Sequence, residues 1–145
     1  MGARSVARER ALQALYQLEV QETEVSDALD AAFAAATSEP GAPPGKPDPE
    51  SRRFAQQLVE GAHSHREEID RLIEDHSHNW RLDRMGQIDR NVLRLAIFEL
   101  KYLADVPRKV TINEAVELGK RFGTEASSAF INGLLDRIAA ELGKP

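Results

Sequence analysis

Apolar residues recur at helical spacing along most of the chain. Between positions 4 and 20, Ala7, Ala11, Ala14, Leu15 and Leu18 fall on one stripe, which predicts an amphipathic helix. A second helix is predicted over 26–36. Ser26 is its candidate N-cap, Asp27 lies in its first turn, and Leu29, Phe33 and Ala36 face inward. The segment 38–49 then holds five of the seven prolines and cannot continue a helix, so it reads as an extended loop. Neither side of it carries enough apolar residues to fold without the other, which makes it a connection rather than a domain boundary. Asp48-Pro49 suits an N-cap and first helical position. From there one long helix is expected to carry Phe54, Leu58, Ala62, Ile69, Leu72 and Ile73, with a bend or short turn around Asn79-Trp80-Arg81-Leu82.

The second half continues the pattern. Residues 87–103 are the most apolar stretch: Ile88, Val92, Leu93, Leu95, Ala96, Ile97, Phe98, Leu100 and Leu103 leave little polar face, so this helix should be central. Asp105-Val106-Pro107 stops it. Thr111-Ile112-Asn113-Glu114 has the form of a capping box, and the helix it opens places Ile112, Ala115, Val116, Gly119 and Phe122 on one face. Gly123 ends that helix. Thr124 is expected to cap a last one, with Ala126, Phe130, Ile131, Leu134, Leu135 and Ile138 inward. Gly119 and Gly133 fall mid-helix, where each costs about 1 kcal/mol relative to alanine, and close helix–helix approach would explain both. Strand-like alternation and internal repeats are absent. The fold class expected is all-α, a bundle of six or seven helices.

Composition narrows the class. A chain of 145 residues with 41% hydrophobic and 30% charged positions is the size and balance of one globular domain. With no cysteine, disulfides, thiolate zinc sites and cysteine nucleophiles are excluded. No apolar run approaches the roughly 18 residues of a membrane span. The arginine-bearing N-terminus lacks the apolar stretch of a secretory signal, and Val6 spoils a myristoylation match. A cytoplasmic location is expected. The net charge of −5 argues against nucleic acid only until it is divided. Residues 22–75 carry thirteen acidic and five basic side chains, whereas 1–21 and 76–145 are each slightly basic. The two ends could therefore share a basic face.

Candidate chemistry is sparse. Gly41, Gly45 and Gly61 have the wrong spacing for a phosphate loop, and no nucleophile elbow occurs. His63, His65, His76 and His78 form two His-Ser-His triplets, but residues two apart on a helix point to nearly opposite sides, so His63 and His65 cannot chelate together; His76 and His78 could if that region is a turn, but exposed histidines near a helix end are the expected reading. The carboxylate pairs Glu67-Glu68 and Glu74-Asp75 sit in polar sequence with no cleft predicted around them. No catalytic residue, metal or cofactor is expected. The first helix is more informative. Arg4 and Arg8 are one turn apart near the line of the apolar stripe, so their guanidiniums should extend free beyond the core; Arg10 points elsewhere. Arginine pairs with phosphate through two hydrogen bonds and stacks on bases. Gln13 and Tyr16 add an amide and a stacking ring. Arg108 and Lys109, in a loop after Pro107, and Arg90, Arg94 and Lys101 along the central helix are further candidates for a basic surface along a single strand.

The chain also resembles a known family. Arg8-Glu9-Arg10-Ala11-Leu12-Gln13-Ala14-Leu15-Tyr16 is similar to the A-R-x-x-A-L-Q-x-L-Y opening of the NusB family. Residues 89–100, DRNVLRLAIFEL, resemble its central helix, and Val106-Pro107 with 111–118, TINEAVEL, resembles its V-P-x-x-V-x-I-N-E-A-V-E-L pattern. Phe122-Gly123 and 130–136, FINGLLD, are similar to its ending. The likeness is weak across 22–50. It implies two small helical bundles packed together, an N-terminal half of about 1–78 and a C-terminal half of about 79–145, acting as one RNA-binding domain. It implies transcription antitermination: binding of boxA RNA of ribosomal RNA transcripts together with the ribosomal protein NusE, loading onto elongating RNA polymerase, and a role in ribosomal RNA maturation. It implies RNA contacts from Arg4 and Arg8, then Arg10 and Gln13, with Tyr16, Arg108, Lys109, Phe122 and Phe130 as further candidates. Phe122 and Phe130 are also at core spacing. Ser5 and Val6 stand where further arginines often occur, which implies weaker RNA affinity alone and more dependence on the partner. Two alternatives remain: the substrate-binding module of an rRNA methyltransferase, which the lack of a cofactor domain disfavours, and a protein-binding helical adaptor or homodimer without intrinsic RNA binding.

Overall fold

The computed structural model describes residues 2–37, 48–77 and 81–145. Most of the proline-rich segment, 38–47, and the positions of His78, Asn79 and Trp80 lie outside them. The described residues are all-α: α1 (Ala3–Val20), α2 (Val25–Thr37), α3 (Pro49–Ser64), α4 (Arg66–His76), α5 (Gln87–Tyr102), α6 (Arg108–Phe122) and α7 (Ser127–Leu142), with a 3₁₀ turn at Leu82–Arg84. They form two compact units, 1–63 and 64–145. The division falls earlier than the expected one near 78, because α4 packs against α5 and α7.

In the first unit α1 packs on α2 through small residues. Ala7, Ala11, Ala14, Ala28 and Ala32 are buried, and their short side chains let Leu12, Leu15, Leu29 and Phe33 fill the space between. Asp48 begins α3 as expected, its Oδ1 accepting the Glu50 amide at 3.3 Å. Arg52 then reaches α2: Nη1 donates to Asp30 at 2.8 Å, and the guanidinium carbon lies 5.9 Å from the Phe33 ring centre. The expected single long helix is instead two, α3 and α4, broken at His65. Nothing apolar occurs between Ala62 and Ile69 to hold the helix straight. The His65 ring packs instead against Tyr102 and Phe98, with centroids 4.3 and 6.1 Å away.

In the second unit α5 is the central element, as its sequence predicts. Asn91 to Leu100 are all buried, and α4, α6 and α7 each pack on α5. Three polar residues in that buried run have partners. Arg94 makes a two-pronged ion pair with Asp70 of α4 (2.8 and 3.0 Å) and donates to Asn91 at 3.1 Å. Glu99 accepts the Thr111 hydroxyl at 3.1 Å. That last bond corrects the capping box. Pro107, with φ −63°, is the N-cap, and α6 starts at Arg108, so Thr111 already lies inside the helix with its hydroxyl committed to α5. Helix α7 likewise starts at Ser127 rather than after a Thr124 cap; the Ser127 hydroxyl accepts the Thr124 amide at 2.9 Å. It ends at Gly143, whose φ of +66° favours glycine. The Lys144 amide bonds back to Ala139, and Lys144 Nζ donates to the Leu103 carbonyl at the end of α5, 2.7 Å away. Gly119 is explained by close approach: a Cβ there would lie 2.8 Å from Ile131 Cδ1. Gly133 is not, since its nearest neighbour would be Arg137 Nη1 at 3.7 Å.

Candidate nucleic-acid interface

The N-terminal arginines are held by α3. Ser51 Oγ donates to the Ala3 carbonyl at 2.8 Å, tying the first turn of α1 to α3. One turn further along α3, the Phe54 ring lies under both cations, 4.5 Å from the Arg4 guanidinium carbon and 5.2 Å from that of Arg8. Arg4 is exposed, but Arg8 is only 3% exposed. The expectation of two guanidiniums extending free of the core is therefore corrected, because Phe54 gives both a face to lie on. The first turn of α1 has no side-chain cap and no acidic residue. A cation there opposes the helix dipole by roughly 0.3–1 kcal/mol, so the end as a whole favours a negative partner.

Arg10 lies apart from this pair. Its Nη1 donates to Gln13 at 3.1 Å, which makes those two residues partners of each other. Tyr16, further along α1, is 46% exposed. In the second unit, Arg108 and Lys109 form the exposed first turn of α6 rather than a loop. That turn also lacks an acidic residue and a side-chain cap, so two cations again meet the positive end of a helix. Phe122 closes the same helix, about 21 Å along its axis. It is 38% exposed, not core, and Arg121 lies over its ring at 4.9 Å. Phe130 is half-buried on α7.

Two candidate cations of the central helix are excluded for structural reasons. Arg94 is buried in its ion pair with Asp70. Lys101 pairs with Glu68, and Tyr102 Oη lies 2.7 and 2.8 Å from the two oxygens of that carboxylate. The Lys101 hydrogen bond, then that of Tyr102, holds the Glu68 carboxyl below its ordinary range. The same contacts raise Lys101 and Tyr102. Arg90 donates to the Met85 carbonyl at 3.1 Å. Among the histidines, His63 is exposed, and His76 has Nδ1 2.8 Å from the Leu72 carbonyl and Nε2 against Glu141. Among the described residues no three His, Asp or Glu side chains converge as metal ligands.

Sequence reasoning missed Ser51, Phe54 and Arg121. Phe54 fits an apolar stripe and reads as core; only the register of α3 against α1 brings it under two arginines.

The sequence profile of the NusB family matches residues 5–140. The chain belongs to the NusB family. It is 65% identical over 145 residues to the transcription antitermination protein NusB of Myxococcus xanthus (strain DK1622), covering 100% of both chains. It is 47% identical to the NusB of Geobacter sulfurreducens over 142 residues, 98% of this chain and 97% of that one. Among solved structures it resembles T. maritima NusB with a TM-score of 0.82 at 36% identity, covering 95% of this chain and 91% of that one. It also resembles a crystal structure of antitermination factors NusB and NusE in complex with dsRNA, with a TM-score of 0.81 at 27% identity, covering 96% and 97%. The NusB-like ending at 130–136 divides by role. Ile131, Leu134 and Leu135 are fully buried, while Phe130 and Gly133 remain partly open.

Proposed function

We propose that this protein is a transcription antitermination factor that binds boxA RNA of ribosomal RNA transcripts together with NusE and acts on elongating RNA polymerase in the cytoplasm. It works by binding, not catalysis, and needs no metal or cofactor. The observation that carries this reading is the full-length likeness to transcription antitermination proteins, one of whose structural relatives was solved with NusE and RNA. No helix among the described residues is long and apolar enough to cross a membrane. Arg4 and Arg8 are the principal RNA contacts in the first unit. Arg8 is almost wholly buried whereas Arg4 is exposed, so Arg4 makes the larger share. Arg10 and Gln13 contribute less because they bond each other, and Tyr16 offers a ring for stacking. Arg108, Lys109, Phe122 and Phe130 are the contacts in the second unit: two cations at a helix start and two rings.

The test is binding of a single-stranded boxA oligonucleotide by the protein with and without NusE. Binding should be weak alone and markedly tighter with NusE, with little affinity for a scrambled RNA. NusE binding with no RNA binding in either condition would instead support a protein-binding adaptor.

A further inference from the structure

We infer that residues 143–145 are a clasp that sets the position of Arg108 and Lys109 at the start of α6, with Lys144 as its positioning residue. This rests on the reading of those two cations as RNA contacts. Gly143 turns the chain at the end of α7, and the Lys144 amide bonds back to the Ala139 carbonyl at 3.1 Å. The Lys144 side chain then runs inward: the residue is 8% exposed, and its Nζ donates to the Leu103 carbonyl at 2.7 Å. Leu103 is the C-cap of α5, so the ammonium sits at the negative end of that helix. The next residue reaches the other end of the same connection. The Pro145 carbonyl accepts the Arg108 amide at 2.9 Å. Consecutive residues of the clasp therefore hold both ends of 103–107, the close of α5 and the opening of α6.

The bond to Pro145 supplies what α6 lacks. The first amides of a helix have no partner within it. The Val110 and Thr111 amides reach the Pro107 carbonyl, at 3.1 and 3.3 Å, but Pro107 offers no side-chain cap for the Arg108 amide. Two cations in this turn also oppose the helix dipole. Without another anchor the turn would fray, and the Pro145 carbonyl anchors it with a neutral acceptor. The Arg108 and Lys109 side chains are both exposed, and among the described residues neither has a hydrogen-bond or ion-pair partner. A fixed backbone beneath them means that less freedom is lost when RNA binds.

Two variants loosen the clasp without touching either cation. Lys144→Met keeps the buried stem and removes the ammonium. The Leu103 carbonyl still accepts the Val106 amide at 3.1 Å, so no buried acceptor is emptied and the variant should fold. Gly143→Ala acts independently, by placing a side chain at a φ of +66°. The protein in complex with NusE is titrated with the boxA oligonucleotide over a series of salt concentrations. The forms compared are wild type, Lys144→Met, Gly143→Ala, Arg108→Ala/Lys109→Ala, and that pair combined with Lys144→Met. Each clasp variant should weaken binding about 2- to 10-fold while the log–log salt slope stays as in wild type. The Lys144→Met loss should vanish in the Arg108→Ala/Lys109→Ala background, because the clasp acts only through those residues. Native-state hydrogen exchange of the Arg108 amide should quicken in both clasp variants while the amides within α5 stay protected. Wild-type RNA affinity in both clasp variants, with Arg108→Ala/Lys109→Ala impaired, overturns the clasp alone. An undiminished Lys144→Met loss in the Arg108→Ala/Lys109→Ala background overturns it too, as does unchanged exchange at Arg108. A slope flattened by about 0.7 in Lys144→Met would make Lys144 itself a phosphate contact and overturn its positioning role. Wild-type affinity and slope in Arg108→Ala/Lys109→Ala would sink the RNA reading of those cations, even with faster Arg108 exchange in the clasp variants, and the clasp's role with it.

Discussion

Glycines at 119, 123 and 133 share a residue type but not a reason. At Gly123 an added Cβ would lie 2.7 Å from Ser127 Cβ and 2.8 Å from the Gly119 carbonyl, so backbone would have to move. Gly123→Ala should destabilise the protein by about 1–3 kcal/mol in urea unfolding. Gly133 has room for a methyl group, and Gly133→Ala should raise stability by about 0.5–1 kcal/mol through helix propensity and a stiffer unfolded chain. Equal effects at the two positions would contradict this contrast. The Glu68 cluster makes a pH prediction at the same scale. Its carboxyl is lowered in the folded protein, so the stabilisation is in place above its ordinary value of 4.5 and is lost as pH falls through the lowered folded value. Lys101 and Tyr102 are raised, so their share is present below their ordinary values of 10.5 and 10.0 and is lost as pH rises past them. The pairs are surface contacts, so the effect should be small. Lys101→Met should narrow the difference in stability between pH 6 and pH 3, read by denaturant titration at each pH.

Among the elements, the α4–α5 contact depends most on a single polar interaction. Arg94 brings a buried charge into the most apolar helix, and Asp70 answers it with both oxygens. Asp70→Ala should cost up to about 3 kcal/mol, because it removes the carboxylate that the buried guanidinium holds with two hydrogen bonds. Replacing both partners, as Asp70→Leu/Arg94→Met, should recover most of that loss, and a double variant as unstable as the single one would argue against the pairing. This element also shows what the sequence can disclose. Periodicity alone places the central helix and predicts its burial, since the signal is ten residues of local pattern. It cannot reveal that Arg94 is structural, because its partner lies 24 positions away. The capping box at Thr111 misleads for the same reason: the motif is present, but a tertiary bond to Glu99 uses the hydroxyl and Pro107 starts the helix earlier. The break at His65 is hidden because Ala62 and Ile69, seven positions apart, stay in helical register across it, while the packing of His65 on Tyr102 and Phe98 is tertiary.

Across the whole molecule the chain is net acidic, yet two helix starts carry candidate cations and no acids, Arg4 in α1 and Arg108 with Lys109 in α6. The sequence offers these residues as candidates. It does not disclose that Arg8 is packed on Phe54 or that Phe122 is exposed, because both facts depend on how helices distant in sequence meet. Binding driven by a few phosphate contacts, rather than by overall charge, should have a modest salt dependence that drops in steps as those cations are removed. The most direct measurement is therefore the affinity of the protein–NusE complex for boxA RNA across a series of salt concentrations, for wild type, Arg4→Ala and Arg108→Ala/Lys109→Ala. The log–log slope should flatten by about 0.7 for each phosphate left without its cation, with weaker binding at every salt concentration. Slopes and affinities identical to wild type in both variants would contradict the account.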